Sequence, residues 1–119
     1  MQQRRSAVKG SEAERYAETF LLHRNLVLLH RNYRCRFGEI DLIMREGATL
    51  VFVEVRLRAS LIFGGAGASI TLSKQRKLLR TARYYLASLK TEPPCRFDAV
   101  LLSAGNDQKI EWIKNAFGE

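Results

Sequence analysis

Two alternating runs set close together constrain this chain more than any other feature. Within Thr49–Arg58, Val51, Val53, Val55 and Leu57 fall on one side of an extended strand, and Phe52, Glu54, Arg56 and Arg58 fall on the other. Residues 38–44 read as a preceding strand and Arg45-Glu46-Gly47-Ala48 as the turn, so the spacing predicts a hairpin centred on Glu46-Gly47. Upstream, Ser11 reads as a helix N-cap with Glu14 as the reciprocal member of a capping box. Ala13, Tyr16, Ala17, Phe20 and Leu21 then recur at helical spacing as a buried stripe, with Glu14 at its margin. This helix is expected to end near residues 23–25, and the polar, basic residues 1–10 to form a flexible arm. Leu26-Val27-Leu28-Leu29 reads as a short edge strand.

Beyond the hairpin, residues 61–71 contain Gly64, Gly65 and Gly67 and are expected to form a flexible loop. Ser73 is expected to cap a helix running to about residue 89. Gln75, Leu78, Leu79, Ala82, Tyr85, Leu86 and Leu89 line its inner face, and Arg76, Arg80 and Arg83 lie within about 60° of one another outside. Pro93-Pro94 ends that segment, residues 96–102 form an apolar interior strand, and residues 110–113 form a last strand after a turn at Gly105-Asn106-Asp107. The order α-β-β-β-α-β-β predicts one α/β domain over residues 11–119, a mixed sheet of about five strands with helices on its faces.

Charge narrows the function classes. Twenty Lys and Arg against twelve Asp and Glu give +8 and a pI of about 10.0, which points to a polyanionic partner, nucleic acid or a membrane surface. Residues 61–90 hold six bases (Lys74, Arg76, Lys77, Arg80, Arg83, Lys90) and no acid, and Arg31, Arg34 and Arg36 form a second basic group. An acid-free run of this length suits a phosphate-binding surface, although a solvated cationic helix face would read the same way. Two cysteines without a CxxC pair exclude a disulfide framework and a zinc ribbon. No run approaches the ~18 apolar residues of a membrane span, and the start lacks the apolar stretch of a signal peptide. A cytoplasmic setting without membrane association is expected.

The hairpin also carries acids. A turn centred on Glu46-Gly47 sets Asp41 opposite Phe52 and Glu39 opposite Glu54, which gathers three carboxylates on one patch of sheet. Like charges this close disfavour joint ionisation, and a hard divalent cation such as Mg²⁺, held by one or two carboxylates and a substrate phosphate, relieves them. Ordinary surface ion pairing of Glu54 with Arg56 or Arg58, and of Glu39 with Arg36, is the other reading.

Six segments in order carry a resemblance. Lys9-Gly10-Ser11-Glu12-Ala13-Glu14, Gly38-Glu39-Ile40-Asp41-Leu42-Ile43, Phe52-Val53-Glu54-Val55-Arg56, Phe63-Gly64-Gly65-Ala66, Ser73-Lys74-Gln75-Arg76-Lys77 and Cys95-Arg96-Phe97-Asp98 resemble the YraN family of bacterial proteins. That family is similar in turn to archaeal Holliday-junction resolvases and to the restriction-endonuclease-like fold, whose metal signature is an Asp followed by Glu-x-Lys. The resemblance implies Asp41 and Glu54 as ligands of Mg²⁺ or Mn²⁺, Glu14 as a helix-borne acid, Arg56 at the usual lysine position, and Gln75 as a helix-opening polar residue of the site. It also implies a homodimer, since related resolvases cut two strands with paired subunits. Arginine does not release its proton in proteins, so Arg56 is limited to orienting or stabilising a phosphoryl group. Glu14 has the capping box as its competing explanation.

Two functions stand side by side at this point. One is a metal-dependent endonuclease acting on structured or branched DNA, with Arg34, Arg36, Lys74, Arg76, Lys77, Arg80 and Arg83 holding phosphates and shape recognised rather than sequence. The other is a nucleic-acid-binding module of the same fold with little or no catalysis.

Overall fold

Three antiparallel pairings and one parallel pairing build the sheet. The computed structural model describes residues 2–58, 70–103 and 109–118, with backbone alone for residues 2–11 and 58. The elements are α1 (Gln2–Leu22), β1 (Val27–Cys35), β2 (Gly38–Glu46), β3 (Thr49–Arg58), α2 (Leu72–Ala87), β4 (Cys95–Ser103) and β5 (Ile110–Phe117). The strands lie in chain order, β1-β2-β3-β4-β5, and only β3 and β4 run parallel. A parallel neighbour requires a crossover connection, and α2 lies in it.

Each helix covers one face. Ala17 and Leu21 of α1 pack on Leu42, Met44, Val51, Val53 and Val100. Leu78, Ala82 and Tyr85 of α2 pack on Ile40, Ile43, Phe52, Phe97 and Ala99. The alternation read in β3 holds, with Val51 and Val53 toward α1 and Phe52 toward α2. Among the described residues the product is a mixed five-stranded sheet between two helices, the three-layer α/β arrangement of the restriction-endonuclease-like fold.

Several local expectations are corrected. The turn centres on Gly47-Ala48, because Glu46 pairs with Thr49; Gly47 adopts φ +60°, the positive value that favours glycine at the first position of a two-residue hairpin turn. Ile43, not Asp41, therefore faces Phe52. Helix α1 reaches back to Gln2 through the stretch expected as an arm. Ser11 is interior to it and not at its start, because one glycine (Gly10) costs a helix only about 1 kcal/mol and does not stop it. Tyr16 is half exposed, whereas Glu18 is buried. β1 extends to Cys35, beyond the short apolar run, because an edge strand tolerates polar residues such as His30, Arg31 and Arg34. Thr71, not Ser73, caps α2, its hydroxyl accepting from Lys74 N at 3.1 Å, and the helix ends at Ala87. β5 continues to Phe117. Most of the glycine-rich stretch and the Gly105-Asn106-Asp107 turn lie outside the described residues.

One irregularity positions the site. Strict alternation would put Ile40 and Leu42 on the same face, yet Ile40 packs toward α2 and Leu42 toward α1. The phase changes at Asp41, whose place on β1, between the pairs Arg31↔Leu42 and Tyr33↔Ile40, is held by Asn32 at φ +51°. Asparagine is among the few residues that adopt this conformation readily.

Candidate active site

The break in phase brings Asp41 to where the β2–β3 ladder stops. The register ends at Leu42↔Val53, and one further step sets Asp41 opposite Glu54. The Asp41 carboxylate takes the next backbone donor itself, Val55 N–H donating to Oδ2 at 2.8 Å. Two residues beyond Phe52, Glu54 points to the α2 side and is 5% exposed. The carboxyls of Asp41 and Glu54 lie close enough to perturb each other. Helix α1 contributes a third acid: Glu14, one residue past buried Ala13, lines a cleft with Asn32 and feels the charge of Asp41.

These groups perturb one another. Burial, then the charge of Asp41, raises Glu54 from 4.5 to about 7 against the opposing pull of Lys74 and Arg56. Burial and the charge of Asp41 also raise Glu14 from 4.5 to about 7. Burial raises Asp41 as well, while the Val55 amide, the nearby Glu54 carboxyl and the charge of Lys74 pull it down. Around neutral pH this cluster therefore holds protons that a bound cation would displace.

Two cations flank Glu54 from different elements. Arg56 Nε lies 3.4 Å and Lys74 Nζ 3.5 Å from the same oxygen, Oε2. Arg56 Nε is buried and finds no hydrogen-bond partner among the described residues. An orphaned donor beside paired acids is costly unless an acceptor such as a phosphate oxygen or water completes it. Gln75 is turned to the helix start, its amide donating to Ile70 O at 3.0 Å; it frames the position of Lys74 and reaches none of the carboxylates through that bond.

Asp98 provides an internal contrast. It too sits at a strand irregularity opposite a positive-φ asparagine, Asn115. Its buried carboxylate is saturated by Arg96, by Trp112 Nε1 at 2.9 Å and by Asn115 N–H at 2.9 Å, and Arg96 also binds Glu46 at 2.7 Å. Asp98 is thus a structural acid, enclosed by donors, while Asp41 faces other acids.

Glu39 does not join the cluster. It is exposed and bound to Arg34 Nε at 2.8 Å, because the corrected register gives its expected position opposite Glu54 to Asp41. Among the described residues no three His, Cys, Asp or Glu side chains are arranged to cage a metal ion by themselves. The Asp41–Glu54 pair nonetheless fits the one or two carboxylates through which Mg²⁺ commonly binds beside a substrate phosphate.

The basic residues fall into groups. Arg76, Lys77, Arg80 and Arg83 are all exposed on α2. The β1–β2 hairpin tip docks on the same helix: Phe37 meets Tyr84 edge-on at 5.8 Å, and Arg36 lies over Phe37 at 4.9 Å. Arg36 and the α2 cations therefore share a surface, whereas the charge of Arg34 is matched by Glu39. Sequence reasoning missed the pair formed by Glu18 and Arg31, two bonds of 2.7 and 2.9 Å. Its signal was a charge within the Ala17–Leu21 stripe. This pair and Glu14 line a cleft of about 160 Å³ with Arg15, Asn32 and Leu42. A larger groove of about 650 Å³ on α1, beside Tyr16 and Phe20, contains none of the site carboxylates.

Comparison with known proteins spans the segments that build this site. Residues 13–102 match the model of the uncharacterised protein family UPF0102, a span that includes Glu14, Asp41, Glu54, Arg56 and Lys74. The chain is similar to a UPF0102 protein of Nitrosospira multiformis, 70% identical over 92% of each chain. It is also similar to one of Nitrosomonas europaea, 63% identical over 93% of this chain and 94% of the relative, and to one of Psychromonas ingrahamii, 51% identical over 93% and 90%. By family match and by these relatives, the chain belongs to the UPF0102 family, the YraN family of bacterial proteins.

Proposed function

We propose that this protein is a divalent-metal-dependent endonuclease that hydrolyses phosphodiester bonds in structured or branched DNA. The observation that carries the reading is the register at the end of the β2–β3 ladder, which sets Asp41 opposite buried Glu54, with Glu14 close to Asp41 and two cations beside Glu54. Asp41 and Glu54 would hold Mg²⁺ or Mn²⁺, whose chemistry when bound is to polarise a phosphoryl oxygen and acidify water.

The remaining roles belong to the chain's own groups. Arg56 directs its orphaned Nε–H at a phosphate oxygen and, being unable to lose its proton, holds charge without acting as a base. Glu14, raised to about 7, stands near the pH at which a carboxyl can both accept and return a proton. In the hydrolysis the oxygen of water bonds to phosphorus as the ester P–O bond breaks. One proton of water reaches the leaving oxygen and the other leaves through Glu14. The cations of α2 and Arg36 hold flanking phosphates, which favours backbone shape over base sequence. Arginine at the usual lysine position favours the second reading, a nucleic-acid-binding module with weak or absent cleavage.

A cleavage screen separates the two. Four-way junction, flap, single-stranded and linear duplex DNA are incubated with Mg²⁺, Mn²⁺ or chelator, with Asp41→Ala and Glu54→Ala beside the wild type. The nuclease reading expects metal-dependent cutting of a branched substrate that both variants lose while still binding DNA. Binding unchanged by either substitution, with no cutting of any substrate, establishes the module instead.

A further inference from the structure

We propose that Lys74, in the first turn of α2, is a catalytic residue of this site: its ammonium contacts the scissile phosphate and replaces, from the opposite helix, the cation that Glu-x-Lys nucleases carry on the strand. The assignment rests on the nuclease reading above and adds to it the group that stabilises the reacting phosphoryl.

Position argues for it first. Lys74 Nζ stands 3.5 Å from Glu54 Oε2, and its side chain is 36% exposed, so the ammonium lies at the mouth of the site instead of on the open face of α2. The charge of Lys74 acts on Asp41 as well as on Glu54, so it faces both proposed metal ligands. Its origin is fixed by the helix start. Thr71 Oγ1 accepts from Lys74 N at 3.1 Å, Gln75 N–H donates to Thr71 O at 2.9 Å, and the Gln75 amide donates to Ile70 O at 3.0 Å. These bonds hold the backbone of the first turn while the four-carbon stem of Lys74 stays free to swing.

Chemistry argues for it second. Arg56 approaches the same Glu54 oxygen from two residues along the same strand, with a planar guanidinium whose buried Nε cannot follow a moving phosphoryl group. An ammonium on a flexible stem carries three donors and can turn from Glu54 to a non-bridging phosphate oxygen as negative charge builds there. Lys74 keeps its proton throughout, so the atoms and protons of the hydrolysis balance as before. It also explains how the site works with arginine at the strand position: Arg56 takes the anchoring role and Lys74 the mobile one. Neighbouring Arg76, Lys77 and Arg80 are exposed cations of α2 with no ion pair to Glu54.

The test uses the full-length protein and the best-cut substrate of the cleavage screen. Single-turnover rate at saturating DNA, DNA affinity in chelator and Mn²⁺ affinity are measured for wild type, Lys74→Ala, Lys74→Gln, Lys74→Arg and the charge-matched control Lys109→Ala, an exposed lysine outside the basic run. Lys74→Ala and Lys74→Gln are expected to lose about 100-fold or more in rate while DNA affinity stays within about threefold. Mn²⁺ affinity is expected to persist, Lys74→Arg to recover part of the rate, and Lys109→Ala to match wild type. Cleavage by Lys74→Ala at the wild-type rate overturns the proposal and leaves the nuclease reading standing. Loss of Mn²⁺ binding in step with the rate overturns it too, making Lys74 a support for the carboxylates. A wild type that cuts none of the substrates removes both.

Discussion

Glu54→Gln separates the stability of this protein from its proposed chemistry. Glu54 is 5% exposed, and burial, reinforced by Asp41, raises its carboxyl from 4.5 to about 7. Between those values the folded state keeps a proton that the unfolded chain has released. Stability therefore falls as pH rises through this window, and the whole penalty stands above pH 7. At about 1.4 kcal/mol per pH unit, the penalty is about 3 kcal/mol. Glutamine preserves the shape and cannot ionise, but it takes from Arg56 and Lys74 the carboxylate they both flank. The metal-free variant should therefore gain about 1–3 kcal/mol at pH 8 and little or nothing at pH 4.5. Urea unfolding in chelator at both pH values measures this; a gain near 2 kcal/mol moves the midpoint by about 1 M or more. A variant less stable than wild type at pH 8, or a gain equal at both pH values, would refute the assignment of Glu54 as a buried, charge-stressed acid.

Other consequences follow from the same geometry. Arg96→Ala strips fully buried Asp98 of its guanidinium and leaves Glu46 only the longer pair with Lys114, and should cost about 3 kcal/mol in chemical unfolding, since Trp112 and Asn115 still donate to Asp98. Arg76→Ala and Arg80→Ala should weaken DNA binding across unrelated sequences and each lower the slope of log affinity against log salt by about one, measured by anisotropy over a salt series. Gly38→Ala places a Cβ 3.1 Å from Thr81 Oγ1 at φ +150°, and should destabilise the docking of the hairpin on α2 by about 1–3 kcal/mol in the same unfolding assay.

Much of the architecture was legible because it rests on periodicity. The alternation of residues 49–58 fixed the faces of β3, and the inner stripe of α2 from Leu78 to Tyr85 fixed the packing of that helix. The register was not legible, because moving a turn from Glu46-Gly47 to Gly47-Ala48 leaves the hydrophobic pattern intact while changing every opposed pair. That displacement exchanged Glu39 for Asp41 beside Glu54. The phase break at Asp41 depends on the backbone of Asn32, a residue without a periodic signature. Glu14, Asp41, Glu54 and Arg56 were singled out by resemblance and by residue type, and the structure brings them together. The ion pair of Lys74 with Glu54 was hidden inside a run of similar cations, since it depends on where Thr71 starts the helix.

The central claim, that Asp41 and Glu54 form a divalent-cation site, is tested most directly by titrating Mn²⁺ into the DNA-free protein at pH 8 and detecting the ion by electron paramagnetic resonance. One bound ion per chain is predicted, with affinity falling as pH drops below 7 and binding lost in Asp41→Asn and Glu54→Gln. No binding up to millimolar Mn²⁺, or binding that both variants retain, would contradict it.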